Sequence, residues 1–369
     1  MILRPAACVI HGELVRGLEV HYSNGVIHDV LPLSGPAEDW ILSPAFVNAH
    51  SHLEYRGLLG KVNGDDFVSW IRAITLAKTG QVDEDVVNDC LLAGRENKAT
   101  GVAWLGEHSD RPYSRVGMTA SGLQGPIFQE LITFNEHDNP REKLRKVERR
   151  AALQQAVISP HAPYTIDLPT LEWLSEQPLR LSIHAAESED EREFFLQGTG
   201  RFAEMYDRFD VPKPAAGMTP IVYLEKAGFL RPYRQLVHCC AVDDDDLDVM
   251  ARAKVSVAHC PRSNSALGCP KAPVEKMLER GINVGIGMDS CASSGEIDMF
   301  AEMRAVDLPA GTVWNMATTM GAESIGLVHW SIQRWVVPLI RLNLPDAKSV
   351  EDLIATGSPQ CVEWINDPA

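Results

Sequence analysis

The stretch Ser43-Pro44-Ala45-Phe46-Val47-Asn48-Ala49-His50-Ser51-His52-Leu53-Glu54 decides the fold of this 369-residue chain. It is an apolar run that ends in two histidines separated by one residue. Successive side chains of a strand point to opposite faces, so His50 and His52 share a face if the chain stays extended. At the mouth of a barrel, both imidazoles would meet one metal ion. Taken alone, the pair fits a surface loop equally well, and the rest of the chain decides between these interpretations.

From Ile41 onward, strand-like apolar runs alternate with amphipathic segments such as 83–99 and 141–154. This alternation indicates a parallel sheet with crossover helices. Eight strand candidates predict an α/β fold of the (β/α)8 TIM-barrel type, in which the active site lies at the C-terminal ends of the strands. Polar residues stand at those ends: His50, Gly106-Glu107, Gln129-Glu130, His161, His184, His238, His259 and Asp289.

The two ends of the chain differ from this pattern. Short strands are predicted at 14–20 and 25–30, joined through Asn24-Gly25, a strong hairpin signal. The tail has strand-like segments at 331–342 and 361–365. We therefore expect residues 1–43 with 327–369 to form a small β-sandwich domain, and residues 44–326 to form the barrel.

Two stretches interrupt the alternation of strands and helices. Asn63–Thr79 carries Phe67, Trp70 and Ile71 at helical spacing, which suits either a helix that packs on the core or a lid over the substrate. Gly198–Met218 is rich in glycine and proline and follows the fifth strand. We expect this insertion to form a loop near the substrate.

Composition excludes several classes of protein. The net charge of −16 argues against a basic nucleic-acid-binding face. No apolar run reaches the roughly 20 residues of a membrane span, and the start lacks the pattern of a secretion signal. Eight cysteines without a CxxC pair suggest the reduced thiols of a cytoplasmic enzyme. The oligomeric state is not encoded in any of these features, and a homodimer stays open.

A catalytic metal site needs a few nitrogen or oxygen ligands and an open position for water. His50 and His52 supply two ligands, His184 at the end of the fifth strand supplies a third, and Asp289 at the end of the eighth supplies a carboxylate. A divalent ion in such a site lowers the pKa of bound water to about 7. Zn²⁺, Fe²⁺ and Mn²⁺ all suit this ligand set, and we expect Zn²⁺ or Fe²⁺.

Further residues of the strand ends can handle protons. Glu187 lies three residues after His184 and is the natural general acid and base, although it also suits a charge at the start of an acidic helix. His238 ends the sixth strand and, with Asp289, can orient and polarise the water. His161 ends the fourth strand and faces the same mouth, so we assign it to substrate contact.

These motifs in this order resemble the amidohydrolase superfamily, in its cytosine-deaminase-like and chlorohydrolase-like branch. The resemblance implies one Zn²⁺ or Fe²⁺ held by His50, His52, His184 and Asp289, with Glu187 and His238 as catalytic partners. The eighth-strand motif reads Gly-Met-Asp where the family usually has Gly-Thr-Asp, which keeps the ligand. The matching pieces are HSH at 50–52, PHAPYT at 160–165, IHAAE at 183–187, VH at 237–238, HCPRSN at 259–264 and GMDS at 287–290.

Within this branch, the chain is most similar to the 6-aminodeoxyfutalosine deaminases of the futalosine route to menaquinone. The resemblance implies that an exocyclic adenine amine is replaced by a carbonyl, with release of ammonia. An alternative is another deaminase or chlorohydrolase of the branch, acting on S-adenosylhomocysteine, methylthioadenosine, guanine, a pterin or a triazine. The supporting pieces are HLE at 52–54, DFVSWI at 66–71, FQEL at 128–131, ESEDERE at 187–193 and TPIVYLEKAGFL at 219–230.

A nucleoside substrate that carries a benzoate needs contacts to its ribose and its carboxylate. Residues of the early loops are candidates for these contacts, and for each of them a surface or packing role is equally compatible with the sequence. Glu54 is the first choice because it follows the metal histidines closely, and Arg56 and Arg72 are candidates for the carboxylate. Trp70 and Gln129 complete the predicted substrate-binding set.

Overall fold

The computed structural model describes residues 1–64, 66–135, 140–333 and 336–365. No helix in these ranges combines the length and the apolar character needed to cross a membrane. The strands in chain order are β1 (Ile2–Leu3), β2 (Pro5–Ile10), β3 (Glu13–Val15), β4 (Leu18–Ser23), β5 (Val26–Pro32), β6 (Glu38–Pro44), β7 (Phe46–Ser51), β8 (Val102–Ser109), β9 (Ile127–Leu131), β10 (Val157–Pro160), β11 (Ser182–Ala185), β12 (Gln235–His238), β13 (Ser256–His259), β14 (Asn283–Ile286), β15 (Leu339–Leu342) and β16 (Val362–Trp364).

Most helices lie between these strands. The predicted helix 83–99 coincides with the observed one. The α-helices are α1 (Phe67–Thr79), α2 (Asp83–Ala99), α3 (Ser114–Ala120), α4 (Pro140–Gln154), α5 (Leu168–Glu176), α6 (Glu189–Gln197), α7 (Gly200–Arg208), α8 (Pro220–Lys226), α9 (Asp244–Ala253), α10 (Pro261–Ala266), α11 (Val274–Glu279), α12 (Cys291–Ser294), α13 (Met299–Arg304), α14 (Ala310–Met316), α15 (Thr319–Ser324) and α16 (Val350–Thr356).

Two four-stranded parallel sheets form the centre of the molecule. One has the order β10-β9-β8-β7 and the other β11-β12-β13-β14, and the predicted parallel pairing is confirmed. At one seam the backbone N–H of His184 donates to the carbonyl of His161 at 2.9 Å. At the other, the N–H of Asp289 donates to the carbonyl of His50 at 2.9 Å, beside a parallel bridge between Ser51 and Asp289.

The central strands are buried on both faces because helices cover them. Every residue of β7, β9 and β11 is buried, as expected for parallel strands in α/β proteins. These strands therefore read as continuous apolar runs in the sequence. The titratable side chains His50, Glu130 and His184 stand near the C-terminal ends of these strands, which brings them to one edge of each sheet.

Strands from the two ends of the chain form two further sheets, with the orders β1-β4-β5 and β16-β15-β6-β2-β3. An apolar cluster that includes Val20, Ile27, Trp40 and Leu42 lies between them. The hairpin predicted at Asn24-Gly25 is confirmed, since β4 and β5 pair antiparallel and both turn residues have positive φ. β15 from the tail pairs antiparallel with β6.

Some predicted strands were wrong in their bounds. The single strand expected over 14–20 is broken at Arg16-Gly17, where Gly17 has a φ of +76°; β3 joins one sheet and β4 the other. The strand expected over 331–342 is reduced to β15, and residues 334–335 lie outside the described residues. Over 361–365, only β16 is extended.

The two stretches that interrupt the alternation contain α1 and α7, and these helices contact each other. Asp66 caps α1 by accepting the backbone N–H of Ser69 at 2.9 Å in a capping box. The same carboxylate forms an ion pair with Arg201 of α7, and the rings of Phe67 and Phe202 lie 6.4 Å apart. We call α1 and α7 together the roof.

Candidate active site

The ends of β7, β11 and β12 bring three histidines together. The ring of His50 lies 4.9 Å from that of His184 and 5.7 Å from that of His238, measured between centroids. His52, just after β7, lies 4.8 Å from His50. All four side chains are buried, so four predicted site residues lie within one small volume. We call the strand-end side chains around this point, together with Asp289, the floor.

Burial determines the protonation of these histidines. It lowers the pKa of His50 and His52 well below the usual range, and neighbouring imidazoles lower it further. Burial likewise lowers the pKa of His184 to about 4. The imidazoles are therefore neutral near pH 7, which is the state in which histidine binds a metal ion.

Asp289 supplies the carboxylate of the floor. Its Oδ1 lies 3.5 Å from His50 Nε2 and 3.7 Å from His52 Nε2, and its Oδ2 accepts the hydroxyl of Ser263 at 2.5 Å. Its backbone has a φ of +54°, a conformation that costs a non-glycine residue free energy. The surrounding hydrogen bonds hold this strained residue where its side chain meets the histidines.

Glu187 and His238 lie side by side at the edge of the floor. Glu187 Oε1 is 3.4 Å from His238 Nε2. The other ring nitrogen of His238, Nδ1, is 2.7 Å from Asn264 Oδ1, an acceptor, so Nδ1 carries the proton and Nε2 is free to accept. Burial, followed by the charges of Asp289 and Glu191, raises the pKa of Glu187 well above its usual range. Burial therefore favours the protonated form of this carboxyl.

The floor fits a divalent metal ion. One ring nitrogen from each of His50, His52 and His184 lies within 4.8 Å of the other two, and the same holds for donor atoms of His50, His238 and Asp289. Buried polar atoms normally have hydrogen-bond partners, yet His50 Nε2 and His52 Nδ1 have none among the described residues. Neutral imidazoles and a carboxylate are the donors that Zn²⁺ and Fe²⁺ accept.

A cavity of about 580 Å³ opens above the floor, and side chains of the roof helices α1 and α7 line one side of it. Its lining includes the floor residues His52, His184, Glu187, His238 and Asp289. Much of the remaining lining is apolar and aromatic, and these side chains are Phe67, Trp70, Ile71, Ile74, Phe134, Tyr164, Phe202, Met205 and Phe209. Such a cavity suits a small organic molecule with planar groups.

Three of the predicted substrate contacts are not at this cavity. Both carboxylate oxygens of Glu54 accept backbone N–H groups, from Asp110 at 2.7 Å and Arg111 at 2.9 Å. Arg56 forms a bidentate ion pair with Glu96, with nitrogen–oxygen distances of 2.6 and 2.8 Å. The Gln129 amide is used by backbone carbonyls and by the Gln154 side chain. We correct all three assignments, since these groups hold neighbouring loops and helices together.

The other predicted contacts do reach the cavity. His161, Trp70 and Arg72 are part of its lining. His161 Nδ1 lies 2.9 Å from the hydroxyl of Thr165, which orients the ring. Trp70 and Arg72 come from α1, so this helix lines the cavity, and it also packs on the core through Phe67 and Val68.

Sequence reasoning missed several residues that support the floor. His108, at the end of β8, is buried, and its Nδ1 lies 3.0 Å from Nδ1 of His50. Asn48 accepts the backbone N–H groups of His50 and Met288, which joins β7 to the end of β14. Ser263 and Asn264 belong to the HCPRSN motif, and the polar residues of this motif were the sequence signal that could have identified them.

The family of the chain follows from comparison with known proteins. Residues 41–329 match the model of the amidohydrolase family. A 5-methylthioadenosine/S-adenosylhomocysteine deaminase of Syntrophobacter fumaroxidans is 31% identical over 317 residues, which are 78% of this chain and 68% of that protein. A 5'-deoxyadenosine deaminase of Methanothrix thermoacetophila is 27% identical over 89% of this chain and 81% of that protein.

Solved structures show the same fold. Helicobacter pylori aminofutalosine deaminase in complex with methylthio-coformycin superposes with a TM-score of 0.84 at 19% identity, covering 98% of this chain and 97% of the other. An adenosine deaminase from Xanthomonas campestris with bound zinc has a TM-score of 0.80 at 23% identity, covering 98% and 90%. From its sequence match, the chain is an enzyme of the amidohydrolase family.

Proposed function

We propose that this chain is a metal-dependent hydrolytic deaminase of an adenine-type nucleoside, and that the nucleoside is 6-aminodeoxyfutalosine. The observation that carries the proposal is the contact between Glu187 and His238, two floor residues of a cavity lined by aromatic side chains. His50, His52, His184 and Asp289 would hold one divalent ion, Zn²⁺ or Fe²⁺, which when bound supplies a water molecule of lowered pKa. Water and the exocyclic amine are exchanged for a carbonyl and ammonia.

Glu187 would carry the protons of this exchange. Burial favours the protonated form of its carboxyl, and in this form it donates to a ring nitrogen of the purine as water adds. The resulting carboxylate accepts the two protons of the added water in turn: it passes the first to the departing amine, and it keeps the second as the carbonyl forms, which restores the carboxyl. A carboxyl whose pKa is raised by burial is suited to both transfers.

His238 would orient the attacking water. Burial lowers the pKa of His238, and Asn264 accepts its Nδ1–H. Nε2 therefore presents a lone pair toward Glu187 and the floor, where it accepts a hydrogen bond from water. Asn264 acts through His238, because it fixes the tautomer and the plane of the ring.

The hydrogen bonds at both seams support one closed (β/α)8 barrel over residues 44–326. The apolar cluster between the two terminal sheets supports a small β-sandwich from residues 1–43 and 327–369. A cytoplasmic location remains a prediction from the sequence, and a homodimer stays open.

S-adenosylhomocysteine or methylthioadenosine is the second candidate substrate. The relative in Syntrophobacter fumaroxidans is named for these two nucleosides, and it is 31% identical to this chain. Methylthioadenosine has no group that requires the long aromatic lining of the cavity. The aromatic lining favours the benzoate-bearing nucleoside.

A deamination assay tests the proposal. Purified protein is incubated with 6-aminodeoxyfutalosine, S-adenosylhomocysteine, methylthioadenosine and adenosine, and ammonia release is measured. We expect the highest kcat/KM with 6-aminodeoxyfutalosine. Turnover of the thioethers without turnover of 6-aminodeoxyfutalosine would overturn the substrate assignment, and absence of ammonia from every nucleoside would overturn the proposed reaction.

A further inference from the structure

Two arginines line the cavity, one from each helix of the roof. Arg72 belongs to α1 and Arg208 is the last residue of α7, and both appear in the cavity lining. Both residues are exposed, so they lie where the cavity meets solvent. Each of the two stretches that interrupt the alternation of strands and helices thus contributes one cation to the same mouth.

Neither arginine is neutralised within the described part of the chain, where no ion pair or hydrogen bond of either side chain is found. Arg201, also on α7, behaves differently, because its guanidinium pairs with Asp66. Among the described residues of the cavity lining, the carboxylates are Glu187 and Asp289, and both belong to the site at the bottom. In a chain with 50 acidic and 34 basic residues, the described residues of the mouth carry two arginines and no carboxylate, which is opposite in sign to the net charge of the protein.

A third cation of the lining is already used. Lys78 Nζ lies 3.0 Å from Asp110 Oδ2 and donates to the hydroxyl of Tyr55 at 2.6 Å. Its charge is therefore balanced inside the wall of the cavity. This leaves the guanidinium groups of Arg72 and Arg208 as the free cations for a ligand.

We propose that Arg72 and Arg208 form an anion subsite that binds a carboxylate at the 5′ end of the nucleoside substrate. The inference rests on the proposed function and narrows it to nucleosides with an anionic tail. Guanidinium groups bind carboxylates through paired, charge-assisted hydrogen bonds. The aromatic side chains of the lining, such as Trp70, Phe202 and Phe209, supply an apolar surface for the part of the tail that precedes the carboxylate.

Two kinds of tail carry such a carboxylate, and the experiment separates them. Wild type, Arg72→Gln, Arg208→Gln and the double variant are assayed with 6-aminodeoxyfutalosine, whose tail is a benzoate, and with S-adenosylhomocysteine, whose tail is an amino acid. Methylthioadenosine and 5′-deoxyadenosine are the substrates with uncharged tails. Arg95→Gln is the matched control, because Arg95 is an exposed arginine of α2 that does not line the cavity.

We expect the double variant to lose about tenfold or more in kcat/KM on a carboxylate substrate, which is the size of effect of losing charged hydrogen bonds. The loss should appear in KM, remain small for the uncharged nucleosides, and be partly restored by lysine at both positions. High salt should weaken the preference in wild type. The substrate whose kcat/KM depends on the two arginines, the benzoate or the amino acid, identifies the tail that the subsite binds.

Dissociation constants measured by calorimetry keep this proposal separate from the proposed function. If no nucleoside is deaminated, but wild type binds a carboxylate nucleoside more tightly than methylthioadenosine and the double variant does not, the subsite is supported and the reaction is wrong. If wild type shows no preference for an anionic tail, or if the double variant keeps the preference in both kcat/KM and the dissociation constant, the subsite is overturned.

Discussion

The floor and the roof of the cavity are built in different ways. The floor consists of buried side chains at the ends of parallel strands, and several of them are held by a hydrogen-bonded neighbour, as Asn264 holds His238. The roof consists of α1 and α7, which meet through a half-exposed ion pair and one contact between rings. The floor is thus rigid and carries groups for the chemistry, whereas the roof is more loosely joined and carries groups suited to choosing the substrate.

This contrast predicts the largest effect for a change in the floor. Glu187→Gln removes the carboxyl that carries protons but keeps its shape. We expect kcat to fall by about 10²- to 10⁴-fold, the usual contribution of a general acid or base, while metal content is retained. Ammonia release and elemental analysis measure the two quantities.

Glu189→Gln is the matched control for this variant. Glu189 begins α6 two residues later and is exposed, so its substitution should leave kcat unchanged. Turnover at the wild-type rate in Glu187→Gln would contradict the role of this carboxyl and with it the distinction between floor and roof.

The floor was largely readable from the sequence because strands impose a simple geometry. An apolar run that ends in a polar residue places that residue at one edge of a parallel sheet, and His50, His184, His238 and Asp289 all follow this rule. His108 was missed because β8 continues to Ser109, beyond the Gly106-Glu107 end that the sequence suggested. A strand that is two residues longer carries one more histidine into the site.

Contacts outside the strands were not readable in this way. Glu54 is close in sequence to the metal histidines, yet it lies in a 3-10 helix over Leu53–Leu58, and its carboxylate binds backbone N–H groups of the next loop. Proximity along the chain does not determine direction once a strand has ended. The contact between α1 and α7 likewise depends on tertiary packing, which the local sequence of the two helices does not reveal.

His108 offers the next test of the floor. His50 can direct Nε2 toward a metal ion only if its Nδ1 carries the proton, and His108 Nδ1 at 3.0 Å is then the acceptor. We expect His108→Phe to weaken metal affinity by about 10- to 100-fold, as is typical for the partner of a ligating histidine. Metal retained during dialysis against a chelator measures this loss.

Asparagine at the same position is the informative comparison. His108→Asn places an amide oxygen close to where the accepting nitrogen was, so it should restore most of the affinity. Equal losses in the phenylalanine and asparagine variants would show that His108 only fills space beside His50.

The pH dependence of stability tests a buried carboxyl group next to the floor. Burial raises the pKa of Glu191, on α6 beside Glu187, from 4.5 to about 7, although the backbone N–H groups of Glu187 and Ala186 oppose the shift. Between these pH values the folded chain holds a proton that the unfolded chain has lost. The contribution to stability is therefore complete below pH 4.5 and is lost as the pH rises to about 7, by at most about 3 kcal/mol.

Glu191→Gln should remove this part of the pH dependence, because glutamine cannot ionise. Urea unfolding of wild type and variant at several pH values between 4 and 8 measures the difference. Glu189→Gln again serves as the control, and its stability should follow the wild-type curve. A variant curve with the same slope as wild type would mean that Glu191 does not hold a proton in the folded chain.

The roof should show the smallest effects, and Arg201→Ala tests this. The ion pair of Arg201 with Asp66 has side chains that are 33% and 43% exposed, and such pairs contribute about 0.2–1 kcal/mol. Losing it should leave kcat unchanged and raise KM by up to about fivefold, with less effect at high salt. Lys213→Ala is the matched control, because its pair with Asp207 at 2.8 Å lies within the insertion and does not reach α1. If kcat fell as far in Arg201→Ala as in Glu187→Gln, the roof would take part in the chemistry. The loss of an ion pair this exposed costs too little free energy to lower kcat that far through a change in packing alone.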